Sequence, residues 1–403
     1  MKTTLRLLLL LSFAPIFASC ERDSAAEPDQ IPEGAVDLTW ARDPRLAVEV
    51  LESGRSDSTW QRVVELDTAG VTRRAVADPE RWEQITSEAV NSAPMQLPLY
   101  RKSEGASVLR AQILLDRAMF SPGIIDGRWG KNTEKAVYWF QQREGLPRTG
   151  WIDQATFDRL VQLGGETPDL IRPYTLAAED VEGPFVTIPE DIYAKAKLDC
   201  MCYESISESL SERFHVSPDV LRQLNPGVSL DSLTTGTTIQ VPNVRGEGMR
   251  APEEIAKLVI SADGFFVHAV DANGRILYHF PTTLGSSFDP SPSGDHSIVR
   301  ITRNPTWHYQ PSILAHVDDS EEEAMIPAGP NNAVGVVWME LSIPHYGMHG
   351  TSAPETIGYT TSAGCVRLTN WDAIFLSGLV RAGTPVEFSA RPDPSPVDGT
   401  PAG

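Results

Sequence analysis

Cys365 follows His349 by sixteen residues, and the chemistry most readily drawn from this chain belongs to that pair. A thiol attacks as its thiolate, so it needs a base within reach. It also needs a tight turn that presents the sulfur and aims backbone N–H groups at a developing oxyanion. The run Ser362-Ala363-Gly364-Cys365-Val366-Arg367-Leu368 supplies such a turn, because Gly364 permits the close backbone path. His349, in His349-Gly350-Thr351, is the candidate base, and His345 just upstream is the alternative. Arg367 offers a planar cation that holds a carboxylate or positions the site; a structural salt bridge is the competing role. Ser362 stabilises the loop or donates to substrate, with the loop role the plainer expectation. Tyr346 either lines the pocket or packs against it.

The elements that must position these residues lie between positions 251 and 389. Lys257 to Ile260 and Phe265 to Val270 read as strands around Asp263-Gly264. Asp271 to Gly274 is a hairpin turn before Arg275 to Phe280. Ser297 to Ile301 and Val334 to Met339 are further strands. Helical spacing is clear only after Cys365, where Thr369 or Asn370 caps a helix that buries Ile374, Phe375 and Leu379 and ends by Gly383. The unit is mostly β with one helix behind the nucleophile. Asn304 to Ala333 is loop-rich and a candidate cover for the site, and its acidic run Asp318 to Glu323 reads as a solvated face.

The ordered motifs of this unit resemble the L,D-transpeptidase catalytic domain of the YkuD-like family. They are Ser291-Pro292-Ser293-Gly294, Asn304-Pro305-Thr306-Trp307, Ala328-Gly329-Pro330-Asn331-Asn332, Gly335, His349-Gly350-Thr351, Pro354, Ile357-Gly358, Ser362 to Leu368, and Gly383-Thr384-Pro385-Val386. The resemblance implies a peptidoglycan stem peptide as substrate. Cys365 is then the nucleophile and His349 the base, oriented by the backbone carbonyl of Gly350 rather than by a carboxylate. Backbone N–H groups near Gly364 and Cys365 bind the oxyanion. An amine on a second stem, or on a wall-linked protein, resolves the thioester. The family often carries His where Ala363 stands, so no role is expected of that side chain. No cofactor and no metal are implied. Water as acceptor would make the same site an L,D-carboxypeptidase or a hydrolase that releases wall-linked proteins. A non-catalytic wall-tethering lipoprotein is the remaining reading, and the intact Cys365–His349 pair counts against it.

The rest of the 403-residue chain divides into smaller units. Ser107 to Leu163 keeps helical spacing at Leu109, Ile113, Leu114 and Ala118, then at Ala136, Val137 and Phe140, then through Thr156 and Leu160. Its motif order is Asp126-Gly127, Trp129-Gly130, Thr133, Ala136-Val137, Phe140-Gln141, Gly145-Leu146 and Thr149-Gly150. This order resembles a peptidoglycan-binding domain type 1, placed at 101–164, with Trp129 and Phe140 expected in its core. Residues 165–197 read as a linker. Leu198 to Val244 reads as βααβ, with an opening strand at Leu198 to Tyr203, helices at Ile206 to Phe214 and from Pro218 to Leu224, and a closing strand at Thr238 to Pro242. It resembles a LysM-like module, except that Glu204-Ser205 stands where the family has Gly-Asp. Together these make a multidomain α+β protein.

The first twenty residues read as a signal peptide, with Lys2 and Arg6 before a short apolar run that is too short to span a bilayer. Its end, Phe17-Ala18-Ser19-Cys20, resembles a bacterial lipobox, although Phe17 stands where an aliphatic residue is usual. The resemblance implies acylation of Cys20 and a membrane anchor, and Glu21 leans toward the outer membrane. Ordinary cleavage nearby would give a soluble periplasmic protein instead. Residues 21–37 form an acidic tether and 38–100 a helical region of unknown role, with Pro after Asp43 and after Asp78 at expected helix starts. Residues 390–403 are a Pro-rich tail, expected to be disordered. The net charge of -20 argues against a nucleic-acid partner. Cys200 and Cys202, if on a strand, would face one side with Cβ atoms about 6.5 Å apart. A disulfide requires about 3.8 Å, so free buried thiols are expected.

Overall fold

Alternating apolar residues such as Leu258 and Ile260, or Val386 and Phe388, call for strands with one face in a core. The computed structural model pairs them, and it describes residues 84–164, 169–245, 254–261, 264–286, 289–313 and 320–389. Cys20, the acidic tether, most of 38–100 and the C-terminal tail lie outside the described residues.

The helices come first: α1 (Ser87–Ser92), α2 (Ala106–Arg117), α3 (Lys131–Glu144) and α4 (Gln154–Gly164). Leu109, Ile113 and Leu114 are buried as their spacing predicts, and so are Trp129 and Phe140. Gly145, at φ 69°, ends α3 in the left-handed cap that glycine favours.

Next come strand β1 (Ile171–Thr175), short helices α5 (Ala178–Val181) and α6 (Ile192–Lys195), then α7 (Ile206–Arg213), α8 (Pro218–Leu224) and strand β2 (Thr238–Pro242). α7, α8 and β2 follow in the expected order, but the opening strand is not Leu198–Tyr203, and two further short helices separate β1 from α7. β1 pairs antiparallel with β2 from Ile171↔Pro242 to Thr175↔Thr238. This two-stranded ribbon tolerates Pro173 at its open edge. Residues 169–197 are therefore folded and not simply a linker. The segment 198–203 instead lies against the catalytic domain: Met201 N–H donates to the Ala328 carbonyl and Asn331 N–H to the Met201 carbonyl, each at 2.9 Å. Because this segment is no strand, the expectation of free thiols fails. Cys200 and Cys202 are disulfide-bonded, with Cα atoms 5.2 Å apart.

The catalytic domain contains β3 (Lys257–Ser261), β4 (Phe266–Val270), β5 (Ile276–Pro281), β6 (Gly294–Arg303), β7 (Trp307–Tyr309), β8 (Ala324–Ile326), β9 (Val337–Leu341), β10 (Gly347–His349), β11 (Val366–Arg367), α9 (Asn370–Leu379) and β12 (Pro385–Ser389). Eight strands form one sheet in the order β11-β10-β9-β6-β12-β3-β4-β5. Thr369 caps α9 through its hydroxyl, which accepts from Asp372 N–H at 3.2 Å. The helix packs on β9 and β10, with Leu376 in the core beside Leu258, Phe280 and Met339. The Asn304–Ala333 region is more ordered than expected, since β7 and β8 pair within it. Its acidic residues are partly engaged: Glu321 accepts from the Tyr309 hydroxyl at 2.9 Å and Glu323 pairs with His308.

The modules share buried contacts. Trp139 of α3 meets Phe266 of β4 edge-on at 5.1 Å. At the junction of all three units lies a buried charge cluster. Arg245 pairs with Asp116 of α2 at 2.9 Å and with Asp372 of α9. Asp116 also meets His215 at 3.2 Å, and Asp372 accepts from the Ser121 hydroxyl at 2.9 Å. Among the described residues no helix is long and apolar enough to cross a membrane.

Candidate active site

His349 ends β10, and Cys365 lies in the bend that leads into β11. β10 and β11 run parallel, with Met348 opposite Val366 and His349 opposite Arg367. Met348 and Val366 point into the core. Side chains alternate along a strand, so His349 and Arg367 take the other face. Cys365 lies in the bend just before β11, so the sheet register brings the segments that carry base and thiol side by side from sixteen residues apart.

His349 is 4% exposed. Its Nδ1 lies 2.7 Å from the Gly350 carbonyl, as the resemblance implied. A carbonyl only accepts, so Nδ1 carries the proton and Nε2 is left as the basic nitrogen. Burial, reinforced by the nearby Arg367 cation, pushes the imidazole pKa down to about 3, against the opposing pull of the Gly350 carbonyl. Cys365 is partly exposed. Burial of its sulfur raises the thiol pKa, while a Gly347 backbone hydrogen bond and Arg367 act the other way. Sγ faces the His345 main-chain carbonyl at 3.8 Å. His345 therefore meets the thiol through its backbone, and its side chain is exposed. Burial thus favours the uncharged form of both groups.

The turn before the thiol is pinned by two serines. Ser362 Oγ donates to the Cys365 carbonyl at 2.6 Å, which fulfils its expected loop role. Ser291 Oγ donates to the Gly364 carbonyl at 2.8 Å and accepts from Gly285 N–H at 2.8 Å. Gly364 has φ 96°, and a Cβ there would stand 2.7 Å from the Tyr346 ring. Tyr346 thus packs on the nucleophile turn. Gly350 is equally confined, since a Cβ would stand 2.0 Å from Asn370 Oδ1.

Arg367 is held by its backbone, which exchanges hydrogen bonds with Thr283 in both directions. Its Nε is buried with no hydrogen-bond partner among the described residues, and burial lowers its pKa while Cys365 raises it. Its positive charge favours the thiolate form of Cys365 and the neutral form of His349.

Three contributors escaped the sequence reading. Trp338 of β9 sits opposite His349 and stacks on its ring, with centroids 5.4 Å apart and planes 21° apart. Ser291 was part of a motif but had no assigned task. Asn370 was read only as a possible cap, yet its Oδ1 accepts from Val336 N–H and its Nδ2 donates to Glu212 of α7. Among the described residues there is no cluster of metal-ligating side chains.

This β-sheet domain carries an imidazole oriented by a backbone carbonyl on β10 and a thiol in the bend that leads into the neighbouring strand β11. Comparison with known proteins narrows this. Residues 257–388 match the YkuD family, described as "L,D-transpeptidase catalytic domain", and residues 104–160 match "Putative peptidoglycan binding domain". The chain is 30% identical over 181 residues to "Putative L,D-transpeptidase YkuD" of Bacillus subtilis (strain 168), covering 45% of this chain and 92% of the relative. It is 35% identical over 150 residues to "Putative L,D-transpeptidase in ATP synthase subunits region ORF 5" of Fuscovulum blasticum, covering 36% and 78%. It is 28% identical over 201 residues to "Probable L,D-transpeptidase ErfK/SrfK" of Salmonella typhimurium, covering 47% and 63%. The chain belongs to the L,D-transpeptidase family.

Proposed function

We propose that this protein is a cysteine-dependent L,D-transpeptidase of the bacterial cell envelope, acting on peptidoglycan stem peptides. The observation that carries the reading is the Nδ1–Gly350 hydrogen bond, which leaves Nε2 basic on a strand paired with the one that Cys365 leads into. In the proposed cycle Cys365 attacks the carbonyl before the terminal D-Ala of a tetrapeptide stem as its proton passes to His349. The sulfur–carbon bond forms, and backbone N–H groups of Gly364 and Cys365 hold the oxyanion. His349 returns the proton to the departing D-Ala amine, leaving a thioester. An acceptor amine then attacks, the amide forms and the thiol is restored. Arg367 stabilises the thiolate and the substrate's carboxylate end, and Tyr346 borders the stem.

The helical module would hold the sacculus. The βααβ unit, opened by β1, is read as LysM-like and as a second wall contact. Acylation of Cys20 would anchor the protein in the envelope, and loss of fatty-acid labelling in Cys20→Ala tests that step. For the reaction, purified tetrapeptide muropeptides are incubated with the enzyme and separated by mass spectrometry. Dimers joined through diaminopimelate support transfer to a stem. Loss of D-Ala without dimers assigns water as the acceptor. Unchanged products from Cys365→Ala would overturn the mechanism.

A further inference from the structure

The segment from Gly350 to Gly364 joins the imidazole to the thiol, and its one regular piece is a 3₁₀ turn, Pro354–Thr356. A segment this irregular keeps one path only if other groups bind its backbone. Thr283 supplies part of that: its hydroxyl donates to the Thr356 carbonyl at 3.3 Å and accepts from Gly358 N–H at 3.1 Å. The rest comes from the helical module. Asn132, near the start of α3, is 5% exposed, and its Nδ2 donates to the Ile357 carbonyl at 2.8 Å. Gly358 follows at φ 82°, and a Cβ there would stand 2.2 Å from Asn132 Oδ1. The loop backbone therefore lies directly on this amide.

Tyr359 completes the contact from the other side. α3 begins after Gly130, which has no side chain to cap the first turn. A Cβ on Gly130 would stand 2.3 Å from the Tyr359 hydroxyl. Burial raises the pKa of that hydroxyl, and the nearby Lys131 and Asn132 backbone N–H groups lower it. These are donors that a helix start leaves without an intrahelical partner. The loop thus lies against the start of α3, and α3 holds the loop.

We propose that Asn132 is a positioning residue for the loop between His349 and Cys365, and that the Asn132–Tyr359 contact makes the helical module part of the catalytic apparatus as well as a wall-binding unit. The inference rests on the reading of Cys365 as the nucleophile. Ile357 is 1% exposed, so its carbonyl has no water to turn to if the amide donor is lost. A displacement of about 1 Å between reacting groups costs about 100-fold in rate.

The test uses the full chain as wild type, Asn132→Asp and Tyr359→Phe. Asn132→Asp keeps the side-chain shape and removes the donor. Tyr359→Phe removes one hydroxyl from a residue that is 54% exposed, so it leaves the fold intact. Single-turnover acylation by a tetrapeptide muropeptide is followed by intact mass. Asn132→Asp is expected to slow acylation at saturating substrate by about 10- to 100-fold. Half-saturation and pelleting with sacculi should stay within about twofold, separating positioning from binding. Tyr359→Phe is expected to slow acylation by about threefold, the scale of one cap bond. Wild-type acylation rates in both variants overturn the proposal. If Asn132→Asp fails to fold, Tyr359→Phe decides alone. If the wild type is never acylated, the transpeptidase reading has failed instead. Iodoacetamide alkylation of Cys365 and proteolysis of the 351–361 loop then decide positioning. A change in the alkylation pH profile and faster cleavage in the variants support it, and identical behaviour overturns it.

Discussion

Replacing Arg245 by Met should unlock the three modules from one another. The Arg245 side chain is 2% exposed, and the carboxylates of Asp116 and Asp372 are fully buried. Burial alone would raise both carboxyls. At Asp116 the pull of Arg245 and His215 wins and holds it low. At Asp372 burial and the neighbouring Asp116 win, and its pKa is raised. Met keeps the apolar stem against Phe375, whose ring lies 5.2 Å from the guanidinium carbon, but removes the charge between the two acids. Breaking a buried ion pair by deleting one partner costs about 3–5 kcal/mol. At about 2 °C per kcal/mol, suited to a large cooperative unit, the midpoint falls by about 6–10 °C. The deficit also depends on pH. An acid with a raised folded-state pKa destabilises when it ionises, so the loss is greatest at alkaline pH and shrinks as Asp372 takes up a proton. The assay is calorimetry of both proteins across pH, with tryptophan fluorescence reporting on both the helical and catalytic modules. The triple variant with Asp116→Asn and Asp372→Asn should recover much of the loss, because no unpaired charge is left. A loss below about 1 kcal/mol for Arg245→Met at neutral and alkaline pH would refute the view of this cluster as the joint between modules.

Acid should weaken the fold through buried histidines. Burial holds His268 and His349 down to about 3 and His279 well below its ordinary value. The unfolded chain protonates near 6.5, so their stabilising effect is complete above that pH and is lost as pH falls toward 3. At pH 4.5 His268 and His349 each cost about 3 kcal/mol. The urea midpoint should drop sharply between pH 7 and 4.5, and His268→Phe should flatten that dependence; an unchanged slope counts against it. Trp338→Ala removes the face that fixes the His349 ring. An aromatic stack of about 0.5–1.5 kcal/mol predicts a roughly 3- to 10-fold fall in kcat/KM, largely restored by Trp338→Phe. Equal kcat/KM for wild type and Trp338→Ala would show that the ring is held by other means.

Local chemistry made much of this protein legible from its residues. Helices at 106–117 and 131–144 follow from apolar spacing and the Gly145 stop, and strands at 257–261 and 266–270 from alternation and the turn between them. Cys365 and His349 stood out because a thiol, a glycine turn and an imidazole are rare company. The resemblance supplied Gly350 as the acceptor for Nδ1. What escaped the sequence depended on partners distant along the chain. β1 is recognisable as a strand only beside β2. Cys200 and Cys202 join because their segment lies on the loop at Ala328–Asn331 rather than in a ladder. Trp338 meets His349 through antiparallel register, which no local pattern reports. Asn132 reads as an ordinary first-turn residue until α3 is laid against Ile357. Residue types and short spacings thus determined which groups are the candidates for the chemistry and which segments coil or extend. Only the tertiary structure decided which side chains steady those groups, because burial, register and docking arise when segments far apart in sequence share one interior.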